Sequence, residues 1–293
     1  MNPAPPSPSV SPLPLPFQIA GGSVVGREHR RLGKNNQDAY GWRVMEGAIA
    51  AVVCDGCGST PHSEVGANLG VRLLLQGLGQ RYQRGEDPTT PAFWQGLRRD
   101  LLDHLQTLAQ TLDDAWQRVI RDYFLFTIAG AYITPQTTVL FALGDSLTVL
   151  NSHCFPAHSY PHSYPHSYPH SYPHNSPPYL AYGLLSTPFS EAELQIQLLQ
   201  TLPTDQVQSL LLGTDGVSDL IRAELAQFPG QDKVIGSLGQ FWQDDRYFKN
   251  PDQVRRQLSL INRELTTAHW ETQQLTKTTG LLPDDTTLIV LRR

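Results

Sequence analysis

Two short apolar runs in this chain each end on an Asp-Gly pair, and they constrain the fold more than any other feature. Residues 48–56 read AIAAVVCDG and residues 209–216 read SLLLGTDG. A continuous apolar run of this length is typical of a buried strand, and Asp-Gly is typical of a turn. We therefore predict two buried strands, each followed by a carboxylate where it leaves the sheet: Asp55 and Asp215.

The rest of the chain alternates blocks of strands with blocks of helices. Apolar residues spaced three and four apart predict helices over 62–82, 91–122 and 252–276. Strand patterns occur at FQIAGGSVVG, FLFTIAGAYI, TTVLFALGD, LTVLNS and the closing DDTTLIVLRR, while HRRLGKNNQDAYGWRV predicts a polar loop entering a strand. Such blocks predict an α+β protein, and sheets with helices outside them predict a layered sandwich.

Composition narrows the class of protein further. The chain has 293 residues, of which 40% are hydrophobic, enough for one large domain or two small ones with a sizeable core. A net charge of −5 gives no electrostatic case for nucleic acid, and three cysteines argue against a disulfide-built secreted domain. No apolar run is long enough for a bilayer and the start does not resemble a signal peptide. We expect a soluble cytoplasmic protein with no membrane contact.

Two low-complexity segments stand apart from the core pattern. Residues 1–16 are dominated by Pro and Ser, which predicts a disordered tail before a domain over 17–293. Residues 158–174 repeat His-Ser-Tyr-Pro four times and add a final His, and a proline at every fourth position predicts an extended loop. Such a tract can bind Zn²⁺, Ni²⁺ or Cu²⁺, but we favour a neutral insertion in a tolerant loop.

Four aspartates share a local context. Three of them lie at the edge of an apolar strand-like run, and the set is Asp38, Asp55, Asp215 and Asp284. Any one of them alone is more often a turn residue than a ligand. Carboxylates brought together repel one another unless a cation compensates, and oxygen-only ligands suit Mg²⁺ or Mn²⁺. Two such ions can activate a water and clamp a phosphoryl group.

These blocks resemble the metal-dependent serine/threonine protein phosphatases of the protein phosphatase 2C-like superfamily. The matching segments are GGSVVGREHRRLGKNNQDAY, AAVVCDGCGSTPHSEVGA, VLFALGDSLTVL, LLLGTDGVSDLI and PDDTTLIVL, and HRRLGKNNQDA is similar to a bacterial subgroup. The resemblance covers residues 20–293 and implies a four-layer α-β-β-α sandwich with a central pair of antiparallel sheets. It also implies hydrolysis of protein phosphoserine or phosphothreonine by a water that bridges two ions, without a phosphoenzyme.

The resemblance implies a role for each matching residue. Asp38 and Asp55 would hold two Mn²⁺ or Mg²⁺ ions, with Asp55 bridging them and Gly56 offering its carbonyl. Asp215 and Asp284 would complete the ligands of one ion. Asp145 and Asp219 match positions that hold a third, weaker ion in relatives. Asp285 stands where relatives often carry Asn, so we rank it below Asp284.

The chain departs from the family pattern upstream of Asp38. Many relatives carry a phosphate-binding Arg at the position of Gly33, so His29, Arg30 or Arg31 would have to bind phosphate or supply a proton. Ser59 replaces the second Gly of the usual Asp-Gly-x-Gly-Gly. The substrate flap of relatives falls between Asp145 and Asp215, where this chain carries the histidine repeat.

Several alternatives stay open at the level of sequence. The fold could serve as a pseudophosphatase that binds or regulates, or as a phosphatase of small phosphoesters. We interpret Cys54 as a core residue and Cys57 as incidental, with redox inhibition as a weaker hypothesis. His62 is more simply a surface or capping residue than an acid, and Glu64 a favourable charge at a helix start. We expect a monomer that acts on phosphoproteins.

Overall fold

Two antiparallel five-stranded sheets form the centre of the computed structural model, which describes residues 15–156, 176–271 and 273–293. The first sheet has the order β1 (Gln18–Val24), β12 (Thr286–Arg292), β9 (Ser209–Gly213), β6 (Leu147–Leu150) and β7 (His153–Pro156). The second has the order β2 (Asp38–Met45), β3 (Ala48–Asp55), β4 (Ile128–Ile133), β5 (Thr137–Leu143) and β8 (Gln197–Pro203).

Helices cover the outer faces of both sheets. The second sheet packs against α2 (Ser63–Gln83), α3 (Pro91–Leu112) and α4 (Trp116–Tyr123). The first packs against four short helices, which are α5 (Val217–Arg222), α6 (Gln240–Gln243), α7 (Arg246–Lys249) and α8 (Gln253–Ile261). The layers therefore run helix, sheet, sheet, helix, and the predicted α-β-β-α sandwich is confirmed.

The sequence of β3 shows why the sheets stack in this way. Ile49, Ala51 and Val53 belong to the apolar cluster between the two sheets. The alternate residues Ala50, Val52 and Cys54 face the long helices instead. Because successive side chains of a strand point to opposite faces, a strand covered on both sides is apolar at every position. The unbroken run AIAAVVC follows from this double cover.

Three predicted elements differ from the structure. The helix expected over 91–122 is two helices, because the segment 113–115 leaves the helical conformation. The helix expected over 252–276 ends at Ile261, and an antiparallel hairpin of β10 (Leu265–His269) and β11 (Gln274–Thr278) follows it. The Thr-rich strands LTTAH and QLTKT favour β structure because Thr is branched at Cβ.

The third difference lies in the polar loop before β2. Residues Arg27–Arg31 form a short helix, α1, that the sequence did not predict because none of its residues is buried. The Pro/Ser-rich tail lies outside the described residues except for its last two positions, and the histidine repeat lies wholly outside them. Among the described residues, no helix combines the length and apolarity that crossing a bilayer requires.

Candidate metal centre

The predicted aspartates lie at one edge of the sandwich because of strand register. Asp38 opens β2 and pairs directly with Asp55, the last residue of β3. Asp215 follows the end of β9, and Asp284 precedes the start of the neighbouring antiparallel β12. Antiparallel neighbours place the end of one strand beside the start of the next. Residues far apart in the chain therefore meet at a single edge.

Asp38 is fixed by a hydrogen-bond relay between the two sheets. The Thr214 hydroxyl donates to Oδ2 of Asp38 at 2.8 Å, and the backbone N–H of Thr287 donates to the Thr214 hydroxyl at 3.1 Å. Asp38 is only 6% exposed. Its burial, followed by the charge of Asp285, raises the pKa of Asp38 well above its usual value.

Asp55 lies in the middle of the carboxylate cluster. Burial raises its pKa most strongly, and the charges of Asp215, Asp38, Asp145 and Asp284 raise it further. The next residue, Gly56, passes very close to other groups: a Cβ there would lie 2.7 Å from the Gln37 carbonyl oxygen and 2.8 Å from the Ser63 hydroxyl. A side chain at this position would force the strand end apart.

The other side of the cluster lies on the first sheet. Burial, then the charges of Asp145 and Asp284, raises the pKa of Asp215 to about 7. Partial burial raises the pKa of Asp219, although Arg222 on the same helix pairs with this carboxylate and opposes the shift. Asp145 is placed in the β5–β6 turn, close enough for its charge to act on both Asp55 and Asp215.

The adjacent carboxylates Asp284 and Asp285 occupy opposite environments. The Asp284 side chain is 52% exposed and lines the cleft, whereas that of Asp285 is 2% exposed. Partial burial raises the pKa of Asp284, and the N–H of Asp285 opposes this by donating a hydrogen bond to it.

The side chain of Asp285 forms hydrogen bonds with both ends of the segment 26–37. Its Oδ1 accepts a 2.6 Å hydrogen bond from the N–H of Gly26, and its Oδ2 accepts a 2.5 Å bond from the N–H of Gln37. Gly26 is required here, since a Cβ would lie 2.3 Å from the Asp284 carbonyl carbon. One buried carboxylate thus ties both ends of the segment, which we call the α1 loop, to the start of β12.

The α1 loop presents His29 to the cleft. Its Nδ1 lies 2.9 Å from Oδ2 of Asp285 and 3.8 Å from Oδ1 of Asp284. Ligand atoms of these three residues all lie within 4.8 Å of one another, a compact group of metal-binding type among the described residues. The Nε2 side faces the turn after β3, because a Cβ on Gly58 would lie 3.7 Å from that nitrogen.

The arginines near His29 point elsewhere. Arg31 is 74% exposed and pairs with Glu28 at 3.0 Å, at the rim of the cleft. Gly33 has φ +68 with open space around it, so the position where relatives carry Arg is a left-handed turn after α1. Arg222 lines the cleft instead, in a cavity of about 360 Å³ that also contains His29, Asp215, Asp219 and Asp284.

The donor set fits a divalent cation. Five carboxylates of the edge have raised pKa values, and they are Asp38, Asp55, Asp215, Asp219 and Asp284. Mutual repulsion at a buried edge is costly unless a cation offsets it. Carboxylate and carbonyl oxygens are the ligands that Mg²⁺ and Mn²⁺ prefer.

Sequence reasoning missed Thr214 and Arg222 and undervalued Asp285. Thr214 directly precedes the Asp215-Gly216 turn, and its side chain points inward to Asp38. The inward direction of the Thr214 side chain becomes clear only from the pairing of β9 with β12. Cys54 is buried in the core as predicted, and Cys57, which was expected to be incidental, is buried in the same cluster. His62 lies at the start of α2, where it stacks on Tyr123. Glu64 accepts a hydrogen bond from Asn35.

A sandwich of this kind with carboxylates at one edge of its sheets matches the arrangement expected of the metal-dependent phosphatases. The family model "Protein phosphatase 2C" matches residues 25–259. The chain therefore belongs to the protein phosphatase 2C family, a metal-dependent family of serine/threonine protein phosphatases.

Solved structures of similar architecture share little sequence with the chain. The serine/threonine phosphatase Stp1 from Staphylococcus aureus is 13% identical, with a TM-score of 0.49 over 96% of this chain and 97% of that one. PppA, described as a key regulatory component of T6SS in Pseudomonas aeruginosa, is 19% identical, with a TM-score of 0.48 over 95% and 98%. No curated protein matches the chain. The family assignment therefore rests on the family model.

Proposed function

We propose that this protein hydrolyses phosphoserine and phosphothreonine in proteins, using Mg²⁺ or Mn²⁺ held at the carboxylate edge. The observation that carries the proposal is the meeting of Asp38 and Asp55 from one sheet with Asp215 and Asp284 from the other. Their raised pKa values reflect mutual repulsion as well as burial, and this repulsion is what a bound cation relieves.

Each carboxylate has a role in this proposal. Asp38, Asp55, Asp215 and Asp284, with the carbonyl of Gly56, would hold two ions, and Asp145 and Asp219 would hold a weaker third. Bound there, the ions would supply the positive charge that makes a water more acidic and that offsets charge on a phosphoryl group. Thr214 keeps Asp38 in one orientation, because its hydroxyl donates to Oδ2 at 2.8 Å.

His29 would supply the proton of the leaving group. The buried carboxylate of Asp285 lies 2.9 Å from Nδ1 of His29, and Nε2 lies on the side of the turn after β3. A protonated Nε2 can donate to the serine or threonine oxygen as it leaves. Arg222 lines the same cavity and can attract the phosphate in place of the arginine that relatives carry at position 33.

The test of the proposal is turnover of a phosphothreonine peptide and of p-nitrophenyl phosphate, with Mg²⁺, with Mn²⁺ and with EDTA. We expect metal-dependent activity that Asp55→Asn lowers by about a thousandfold. Asp103→Asn, on the exposed face of α3, is the matched control and should keep full activity. Turnover that ignores EDTA and survives Asp55→Asn would refute the proposal. Absence of any turnover would favour a pseudophosphatase.

A comparison of two substrates tests the role of His29. Nitrophenolate leaves without a proton, whereas a serine or threonine alkoxide needs one. We expect His29→Gln to lower kcat on the phosphopeptide by about a hundredfold and on the nitrophenyl ester by much less. Equal losses on both substrates would instead make His29 a ligand or a structural residue.

A further inference from the structure

A second cavity lies on the other side of the α1 loop from the carboxylate edge. Its volume is about 560 Å³. Three cationic residues and several amides and hydroxyls line it, with no carboxylate among them: Ser23, Val24, Val25, Arg30, Lys34, Asn35, Asn36, Arg255, Ser259 and Asn262. We call it the basic cavity. Its charge is opposite to that of the neighbouring carboxylate edge.

Two of the cations form no ion pair within 4 Å among the described residues, although Glu264 attracts Arg30 and Asp284 attracts Lys34 at longer range. Arg30 Nη2 donates to the carbonyls of Val25 at 3.4 Å and Asn262 at 3.2 Å. Lys34 Nζ donates to the carbonyl of Gly58 at 2.5 Å. A carbonyl orients a cation but does not neutralise it, so both side chains contribute positive charge at the cavity.

The third cation, Arg255, is only partly neutralised. Asp252 accepts from Arg255 at 2.6 and 2.8 Å, but the same carboxylate also accepts from Arg256 at 3.0 Å. One negative charge is therefore shared by two guanidinium groups of α8. The cavity thus carries an excess of positive charge from all three of its cationic residues.

The amides of the cavity hold its walls in place. Asn36 donates to the Ser23 hydroxyl at 2.7 Å, and Asn262 donates to the Val25 carbonyl at 2.9 Å. These bonds join the α1 loop, β1 and the end of α8 around the same space. A charged site with fixed walls binds its ligand without the entropy cost of ordering them first.

The two cavities share the α1 loop as a wall. His29 lines the cavity at the carboxylate edge, and the next residue, Arg30, lines the basic cavity. Lys34 reaches from the basic cavity to Gly58 in the turn after Asp55. A peptide whose phosphorylated residue lies at the carboxylate edge therefore has the basic cavity across a single loop from it.

We propose that the basic cavity binds an anionic side chain, a carboxylate or a second phosphate, that flanks the phosphorylated residue of the substrate. This inference rests on the proposed function, because it names the class of protein segment that the enzyme acts on. Cations in a fixed cavity whose lining holds no carboxylate select anionic groups, and this selection weakens as salt screens it.

The first experiment measures binding separately from turnover. Two fluorescent peptides carry a non-hydrolysable phosphonate in place of the phosphothreonine, with two Glu or two Gln on each side of it. We expect the Glu peptide to bind about fivefold more tightly in the presence of Mg²⁺ at low salt. A third peptide with flanking phosphoserines distinguishes phosphate from carboxylate as the preferred anion.

Two neighbouring arginines provide a matched pair of variants. Arg255→Gln removes a cation that lines the cavity, whereas Arg256→Gln removes one that shares Asp252 but does not line it. Ser259→Glu places a carboxylate in the cavity from an exposed position of α8. We expect Arg255→Gln and Ser259→Glu to abolish most of the preference for Glu. Arg256→Gln should lower it only slightly, because Asp252 then pairs with Arg255 alone while that cation stays in the cavity.

The results separate this inference from the proposed function. Equal binding of the Glu and Gln peptides by the wild-type protein, or an equal loss of preference in both arginine variants, would overturn the inference. Turnover of the corresponding phosphothreonine peptides is then measured with the same proteins. Binding preference without turnover would refute the proposed function alone, and turnover without preference would refute the basic cavity alone.

Discussion

The carboxylate edge and the long-helix layer differ in what they contribute to the molecule. In the long-helix layer, α2 and α3 bury apolar side chains against the second sheet, and Leu74, Leu78, Leu97 and Leu105 are all 0% exposed. At the edge, five carboxylates with raised pKa values lie close together. The long-helix layer lowers the free energy of the folded state, whereas the carboxylate edge raises it.

This difference indicates where function constrains the sequence. Burial of apolar surface contributes about 25 cal/mol for each Å², so the helix layer stabilises the fold whether or not an ion is bound. Repelling carboxylates stabilise nothing unless a cation joins them. A functional site is commonly a place where stability is given up. Four measurements test whether the two regions divide stability and function in this way.

The largest effect should come from Asp215→Asn, which should act in opposite directions on activity and on stability. We expect kcat/KM to fall by about a thousandfold, equivalent to about 4 kcal/mol, because a proposed ligand is lost. The metal-free protein should become more stable, since the substitution removes a charge that the fold disfavours. Phosphatase assays and urea unfolding in EDTA measure the two quantities.

A decrease in the stability of the metal-free Asp215→Asn variant would contradict the idea that the carboxylate edge serves function at the expense of stability. It would mean that Asp215 stabilises the fold through its own contacts. The Asp103→Asn variant again serves as the control, because its exposed carboxylate lies on α3 and should affect neither quantity.

The second measurement is the opposite case, Leu97→Ala in the long-helix layer. Leu97 is 0% exposed and belongs to the core between α3 and the second sheet. We expect a loss of about 3 kcal/mol of unfolding free energy from lost burial and the cavity left behind. The activity per folded molecule should stay at the wild-type level at a temperature where the variant is folded. Loss of activity without loss of stability would show that the two regions are not separate.

Local patterns predicted the layers because each layer has its own periodicity. The run at β3 and the three-and-four spacing of α2 carry the signal of a buried strand and an amphipathic helix. The pattern was wrong over 265–276, where exposed strands form a hairpin and the apolar residues are too sparse to distinguish helix from strand. It missed α1, which has five residues and buries none of them.

At the site, the sequence predicted the aspartates, and their roles as ligands remain a prediction. The contributions of Thr214 and Asp285 depend on contacts between residues that lie far apart in the chain. Thr214 forms a hydrogen bond with Asp38 across a separation of 176 residues, and Asp285 forms one with Gly26 across 259 residues. Such pairings follow from strand register, which a single sequence does not show.

The third measurement is the pH dependence of stability in the absence of metal. Burial and neighbouring charges raise the pKa of Asp215 from 3.8 to about 7 and raise that of Asp55 as well. A group whose pKa is higher in the folded state stabilises the fold below its unfolded pKa and loses that contribution as pH rises through the folded value. In EDTA, Tm should therefore fall by about 4 °C between pH 5 and pH 7.5.

Saturating Mg²⁺ should reverse this trend, because ligands must be deprotonated to bind the ion and a bound ion stabilises the folded state. The Asp215→Asn variant should show a smaller fall in EDTA than the wild-type protein. A wild-type Tm that is constant across this pH range would contradict the account of the carboxylate edge as a cost to the fold.

The smallest effect compares two glycines that follow helices in the two regions. Gly33 after α1 and Gly85 after α2 both have φ +68, and no atom lies within 4 Å of the place that a Cβ would occupy, so alanine would add backbone strain without a clash. Each substitution to Ala should cost about 1 kcal/mol of unfolding free energy. Only Gly33→Ala should also lower kcat/KM, by about tenfold. The reason is that Gly33 lies in the α1 loop, which carries His29 and is held at both ends by the hydrogen bonds of Asp285 to Gly26 and Gln37. Equal loss of activity in both variants would show that activity does not depend on the conformation of the α1 loop in particular. Equal losses of unfolding free energy would confirm that alanine causes the same backbone strain at Gly33 and at Gly85.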